Sequence, residues 1–295
     1  MVRIFFEKTR VFLFNYMSDI LFHVIEHSVQ VILLVFVMMV VVDLLNVWTR
    51  GKLTLFLKGG SWRQYLLASF LGATPGCAGS FMNVSLYVHG LISFGALVGG
   101  MIATSGDEAF LMIAMFPREA FMLFGLLFIA GVIFSWITDK IVRGWNIKLT
   151  YKCDLHQHHP ERESFRHYIK EHIWQHIIKR HIWKIFLWVL GAMLIIDLGL
   201  HYWDLSVFAA DHTIYFIFAA AMIGIIPQSG PNIIFITMFA NGLIPFSVLF
   251  TSSFVQDGHG LLPMLSYSVR DAIIIKGFNV VFGLISGLLL YFAGW

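Results

Sequence analysis

The length of its uninterrupted apolar blocks constrains this chain more than any other feature. Val29–Val42 is apolar throughout except for Gln30, and Phe121–Ile137, Ile214–Ile226 and Val280–Trp295 carry no charge. A bilayer core of about 30 Å takes roughly 20 apolar residues as helix. Without water the backbone must satisfy itself, so only helices and closed barrels cross lipid. The blocks lack the strict alternation of a barrel strand, so an all-α polytopic membrane protein is expected. Composition agrees, at 58% hydrophobic and 13% charged, where soluble domains carry about 25% charged residues. The first apolar run, Val11–Leu13, is broken by Asn15, Ser18 and Asp19 and has no small-residue cleavage site after it, so a cleaved signal peptide is not expected. The two cysteines, Cys77 and Cys153, lie in unlike contexts and indicate no disulfide framework.

The second constraint is an internal repeat. Gly90-Leu91-Ile92-Ser93-Phe94 recurs as Gly242-Leu243-Ile244-Pro245-Phe246, an offset of 152 residues. At that offset Pro75 meets Pro227, Gly106 meets Gly258, and Arg118-Glu119-Ala120 meets Arg270-Asp271-Ala272. His27 precedes Asp43 by 16 residues, and His181 precedes Asp197 by 16. The expected organisation is an N-terminal transmembrane repeat over 1–140, a His-rich basic cytoplasmic linker over 141–173, and a C-terminal transmembrane repeat over 174–295.

The positive-inside rule orients the repeats. The loop after the first span holds Arg50, Lys52, Lys58 and Arg63 and no acid, and the stretch 138–186 holds ten Lys and Arg. The equivalent loop of the second half, Gly199–Thr213, has no Lys or Arg but carries Asp204 and Asp211. Equivalent loops therefore fall on opposite sides, and two inverted-topology repeats are expected. Arg3, Lys8 and Arg10 pull weakly the other way, diluted by Glu7 and Asp19. Inverted repeats with interrupted helices are the pattern of many secondary transporters.

Each half is interrupted twice at matched places. The first interruption contains Pro75 and Gly76 in one half and Pro227 and Pro231 in the other. Proline removes a donor and clashes with the preceding turn, so helix breaks or re-entrant tips are expected, a simple kink being the alternative. The second runs Ala103-Thr104-Ser105-Gly106-Asp107-Glu108 and Phe254-Val255-Gln256-Asp257-Gly258-His259-Gly260, placing Asp107 opposite His259 and Ser105 opposite Asp257. Charges at membrane depth face a cavity or a partner. Carboxylate, imidazole and amide or hydroxyl oxygen suit a divalent cation such as Mn²⁺. Asp107, Glu108, Asp257, His259, Ser105 and Asn232 are the candidate metal-binding residues, with solvated loops as the alternative reading.

Three further groups deserve naming. Sixteen residues of helix span about 24 Å, so His27 and Asp43 cannot share one ion on one helix. Inversion would bring His27 to the side of Asp197 and His181 to that of Asp43, as gate or proton-coupling pairs. Arg118-Glu119 and Arg270-Asp271 either neutralise one another at helix ends or offer a bidentate arginine pair to an anion or metalloid of phosphate, sulfonate or arsenical type. Seven of the 13 histidines fall within 156–181, among them His156, His158, His159, His172 and His176. They form a candidate peripheral metal site or a basic segment lying on anionic lipid.

The proline-containing breaks, Gly106-Asp107-Glu108, Gln256-Asp257-Gly258-His259 and the His-rich linker together resemble the ten-span heavy-metal exporters, bacterial permeases also described as manganese transporters or arsenic-efflux-like proteins. The resemblance covers about 20–295 and implies a multi-pass protein of the bacterial inner membrane that exports a metal or metalloid. The expected function is secondary-active export of a divalent transition-metal cation by alternating access, an anion or metalloid permease using Arg118 and Arg270 being the alternative. No His-Glu-x-x-His, Gly-x-Ser-x-Gly or nucleotide-binding loop occurs, so neither an enzyme nor a nucleotide cofactor is expected. The expected partners are the lipid bilayer and a small inorganic ion, with no nucleic acid, and a homo-oligomer is compatible.

Overall fold

The structure is a computed structural model that describes residues 60–106, 108–147, 149, 213–228 and 230–295, with Ile25, Glu26, Val29, Leu33 and Val37 as isolated positions. Among the described residues every regular element is helical. The first set comprises α1 (Ser61–Ala73), α2 (Ala78–Val88), α3 (Phe94–Ile102), α4 (Glu108–Met115) and α5 (Pro117–Gly144). The second set comprises α6 (Thr213–Ile223), a 3-10 turn (Gly230–Asn232), α7 (Ile233–Ala240), α8 (Phe246–Val255), a second 3-10 turn (Gly258–Gly260), α9 (Leu261–Tyr267) and α10 (Val269–Phe292). The starts of α8 and α10 lie 152 residues after those of α3 and α5. The helical elements thus recur in the same order at the spacing found in the sequence.

Length separates two kinds of helix. α5 has 28 residues and α10 has 24, about 42 and 36 Å at 1.5 Å per residue. Each exceeds a hydrocarbon core of about 30 Å. Pro117 at the first turn starts α5 where a missing N–H costs nothing, and Ser268 Oγ accepts from Asp271 N at the start of α10. The other helices, such as α1 with 13 residues and α3 with 9, are too short to cross alone. They run in series through the proline- and glycine-containing breaks, α1 into α2 and α3 into α4.

Large apolar residues cover the outside as well as filling the core. α1 exposes Trp62, Leu66 and Phe70 and buries Ala68, Ser69 and Gly72. α10 exposes Val281, Ile285 and Leu289 one turn apart and buries Lys276, Asn279, Gly283 and Gly287. Ile25, Val29, Leu33 and Val37 are likewise exposed. A soluble surface rarely carries apolar stripes of this extent. Where apolar faces meet lipid, small and hydroxyl residues add close helix contacts to the apolar core, since lipid tails compete equally for Leu and Phe.

The innermost helices are α3 and α8, in which every residue is buried. α3 packs on α1 and α5, and α8 packs on α6 and α10, so each set has the same three-helix centre. The close approach uses the same two positions in each. Beside Gly99 on α3 lies Ser135 on α5, and a methyl at Gly99 would collide with Ser135 Oγ and the Gly131 carbonyl. At the positions 152 residues on, Thr251 stands on the short helix and Gly287 on the long one, and the atoms nearest a methyl at Gly287 belong to the Thr251 side chain. Both hydroxyls donate 2.7 Å bonds to the carbonyl four residues earlier, Ser135 to Gly131 and Thr251 to Ser247. The two sets solve one packing problem with the glycine on opposite helices. They also pack on each other, α2 against α9, α4 against α7, and α3 against α8 and α10.

A buried acid braces the first set. Asp139 of α5 accepts from Tyr65 Oη at 2.7 Å, Ser93 Oγ at 2.7 Å and Gly95 N at 2.8 Å. It thereby ties α1, α5 and the N-terminus of α3, a favourable place for negative charge.

Candidate functional site

The helix interruptions lie where proline and glycine in the sequence put them. α1 ends before Thr74, and Pro75 and Gly76 form a bend before α2. Pro227 lies in the turn after α6, and Pro231 lies in the 3-10 turn before α7. Gly106 and Gly258, equivalent in the repeat, have φ of 62° and 52°. That left-handed conformation is one a side chain resists. It lets the chain leave α3 and α8 and re-enter helix within a few residues.

The breaks converge. Gly76 N donates to Gly106 O at 2.9 Å, and Ser105 N to Gly72 O at 3.4 Å, which joins the two interruptions of the first set. Gln256 Nε2 donates to Thr104 O at 3.4 Å. These two positions are themselves repeat equivalents, 152 residues apart. This contact joins the end of α3 to the end of α8 and so links the two sets. Next to it, Cys77 Sγ lies 3.8 Å from His259 Nδ1, and a methyl at Gly260 would strike Ser80. The carboxylate of Glu108 folds back over Gly106, where a Cβ would collide with its Oε2 and would lie 3.6 Å from Gln256 Nε2. Glu108, His259 and Cys77 are all buried.

Of the residues singled out from sequence, Ser105, Glu108, Asp257, His259 and Asn232 are all buried at the interruptions or beside them. Asn232 Oδ1 accepts from Ser252 Oγ at 2.9 Å, and its Nδ2 has no hydrogen-bond partner among the described residues. Asp107 lies outside the described residues, as do His27, Asp43, His181 and Asp197 and the linker histidines His156, His158, His159, His172 and His176. Among the described residues no three His, Cys, Asp or Glu side chains converge as a group able to hold a metal ion.

Asp257 is engaged in a way the sequence reading did not foresee. Lys276 of α10 places its ammonium 2.7 Å from Asp257 Oδ2, and Asn279 Nδ2 donates to Asp257 Oδ1 at 2.7 Å. The same ammonium donates to Gly224 O at 2.7 Å and Val255 O at 2.9 Å. Asp257 is therefore charge-compensated from within the chain. Lys276 was findable from sequence, because it is the one charge in the apolar run from Ala272 to the end of the chain, and a charge there needs a partner. Cys77 gave less signal, since its nearness to His259 is a contact between sets.

The arginine pair is placed otherwise. Arg118 and Arg270 are both exposed on the first turns of α5 and α10, outside the buried centre. Asp271 is buried, accepts from Tyr87 Oη at 3.1 Å and takes its backbone cap from Ser268. It holds α2 to α10 across the two sets.

A sequence model of the ArsP_2 family, described as "Putative, 10TM heavy-metal exporter", matches residues 9–187 and 170–294. No curated protein and no solved structure matches the chain. With nearly the whole chain matched, and with long lipid-facing helices packed through small residues, the protein belongs to this multi-pass family of ten-span heavy-metal exporters.

Proposed function

We propose that the protein is a secondary-active exporter of a divalent transition-metal cation, manganese or a borderline neighbour, working by alternating access between two inverted repeats in the bacterial inner membrane. The observation that carries this reading is the meeting of the broken helices, with Thr104 bonded to Gln256 at the junction and buried Glu108, His259 and Cys77 around it. Broken helices meeting at a repeat interface are where secondary transporters bind cargo. Carboxylate, imidazole and thiol are donor types that suit borderline divalent ions rather than Ca²⁺ or Mg²⁺.

In this reading Glu108 and His259 hold the ion from opposite repeats. Cys77 and Asp107 complete the set, with Ser105 and Asn232 beside it, and Asp257 supplies local charge balance through Lys276. The cation crosses when one repeat rocks on the other, the contacts between the sets at Thr104–Gln256 and Tyr87–Asp271 being broken and remade. His27, Asp43, His181 and Asp197 are the gate or proton-coupling groups, and the linker histidines collect metal at the cytoplasmic face.

The test is flux in proteoliposomes with Mn²⁺, Zn²⁺, Fe²⁺, Co²⁺ and arsenite offered separately, against protein-free vesicles. Movement of a divalent cation above that background supports the reading. Movement of arsenite alone transfers it to an anion or metalloid permease.

A further inference from the structure

The cluster around Lys276 is built like a cation site. The ammonium donates to Gly224 O and Val255 O and lies 2.7 Å from Asp257 Oδ2 as an ion pair. Gly224 follows the last residue of α6, and Val255 is the last residue of α8. Both carbonyls therefore belong to helix C-termini, which carry partial negative charge. A carboxylate adds a full negative charge at the same point, and Asn279 Oδ1, on the next turn of α10, has no hydrogen-bond partner among the described residues. Unwound carbonyls and half-helix C-terminal ends are the ligands that coordinate Na⁺ in transporters with broken helices.

The first set shows what the same backbone does without a cation. There the carbonyl equivalent to Gly224 is Gly72, and it accepts Ser105 N–H instead. Ser105 stands where Asp257 would be, and Phe124 and Leu127, both buried, stand where Lys276 and Asn279 would be. Acid, amine and amide are present together in one set and absent together from the other. A lone packing lysine would not require that matched exchange at three positions.

We propose that the second repeat contains a hard monovalent-cation site whose occupant is the chain's own Lys276 ammonium. The tethered amine does the work of a bound Na⁺, neutralising Asp257 and joining the ends of α6 and α8, so this half keeps its shape without ions from solution. Truncating the amine opens the oxygen-lined space to a free ion.

The experiment is thermal unfolding of the full chain in detergent, in NaCl and in N-methylglucamine chloride at equal ionic strength. The proteins compared are wild type, Lys276→Ala, and the doubly neutral Asp257→Asn with Lys276→Ala. The expected result is an unfolding temperature for Lys276→Ala that rises by several degrees with Na⁺ and saturates, as for a ligand that binds the folded state. Wild type and the double variant respond equally to the two salts. Equal melting of Lys276→Ala in both salts overturns the proposal. So does recovery of folded protein from the double variant when the single variant yields none even in NaCl, because the bare carboxylate is then not rescued by the ion. No transport is measured, so the outcome is independent of the cargo assignment.

Discussion

Serine at Gly287 tests the close packing of α8 on α10. A Cβ at Gly287 would meet Thr251 Oγ1 in collision and Thr251 Cβ at 3.1 Å. Forcing extra atoms into a filled core costs about 1–3 kcal/mol. Better helix propensity than glycine returns only about 0.5 kcal/mol, so Gly287→Ser loses about 0.5–2.5 kcal/mol net. The first set already shows the compatible partner, because Ser135 packs on Gly99. Adding Thr251→Gly recreates that pair in the second set. The account therefore expects the double variant to unfold at a higher temperature than Gly287→Ser, with a favourable coupling of about 1–2 kcal/mol. The assay is thermal unfolding in detergent, followed by tryptophan fluorescence, for all four members of the cycle. Additive effects within about 0.5 kcal/mol would refute the claim that the two sets use one packing position with the glycine exchanged.

Two further outcomes follow from the structure. Asp139→Ala leaves the buried Tyr65 hydroxyl, the half-buried Ser93 hydroxyl and the Gly95 N–H without their acceptor, at a cost of about 2–4 kcal/mol. The variant should melt well below wild type in the same detergent, and unchanged melting would remove Asp139 as the brace of α1, α3 and α5. Arg118→Lys and Arg270→Lys, both on exposed first turns, should leave cation flux within about twofold of wild type. A tenfold loss in either, equivalent to about 1.4 kcal/mol, would point to bidentate anion recognition at those positions.

Much of the helical scaffold was legible in the sequence because its determinants are local. Long apolar runs dictated α5 and α10, and Pro75, Pro227 and Pro231 marked where shorter helices stop. The spacing of 152 residues between matched motifs reappears in the element starts. The site was only partly legible, for a physical reason. Proline and glycine announce a break from their own chemistry, but a pair such as Cys77 and His259 exists only because two distant segments meet. The same holds for Tyr87 with Asp271. Asp257 is a candidate ligand from sequence because a charge at membrane depth faces a cavity or a partner. That its neighbour is Lys276 of α10 depends on how α8 packs against α10, which no local motif states.

The measurement that tests the central claim most directly is divalent-cation efflux from proteoliposomes carrying wild type, Glu108→Gln or His259→Ala, each first shown to unfold cooperatively in detergent. The account predicts that wild type moves the cation and that both variants, though folded, lose at least tenfold of that flux, about 1.4 kcal/mol or more per site. Folded variants that both transport at the wild-type rate would contradict a cargo site at the meeting of the two sets of broken helices.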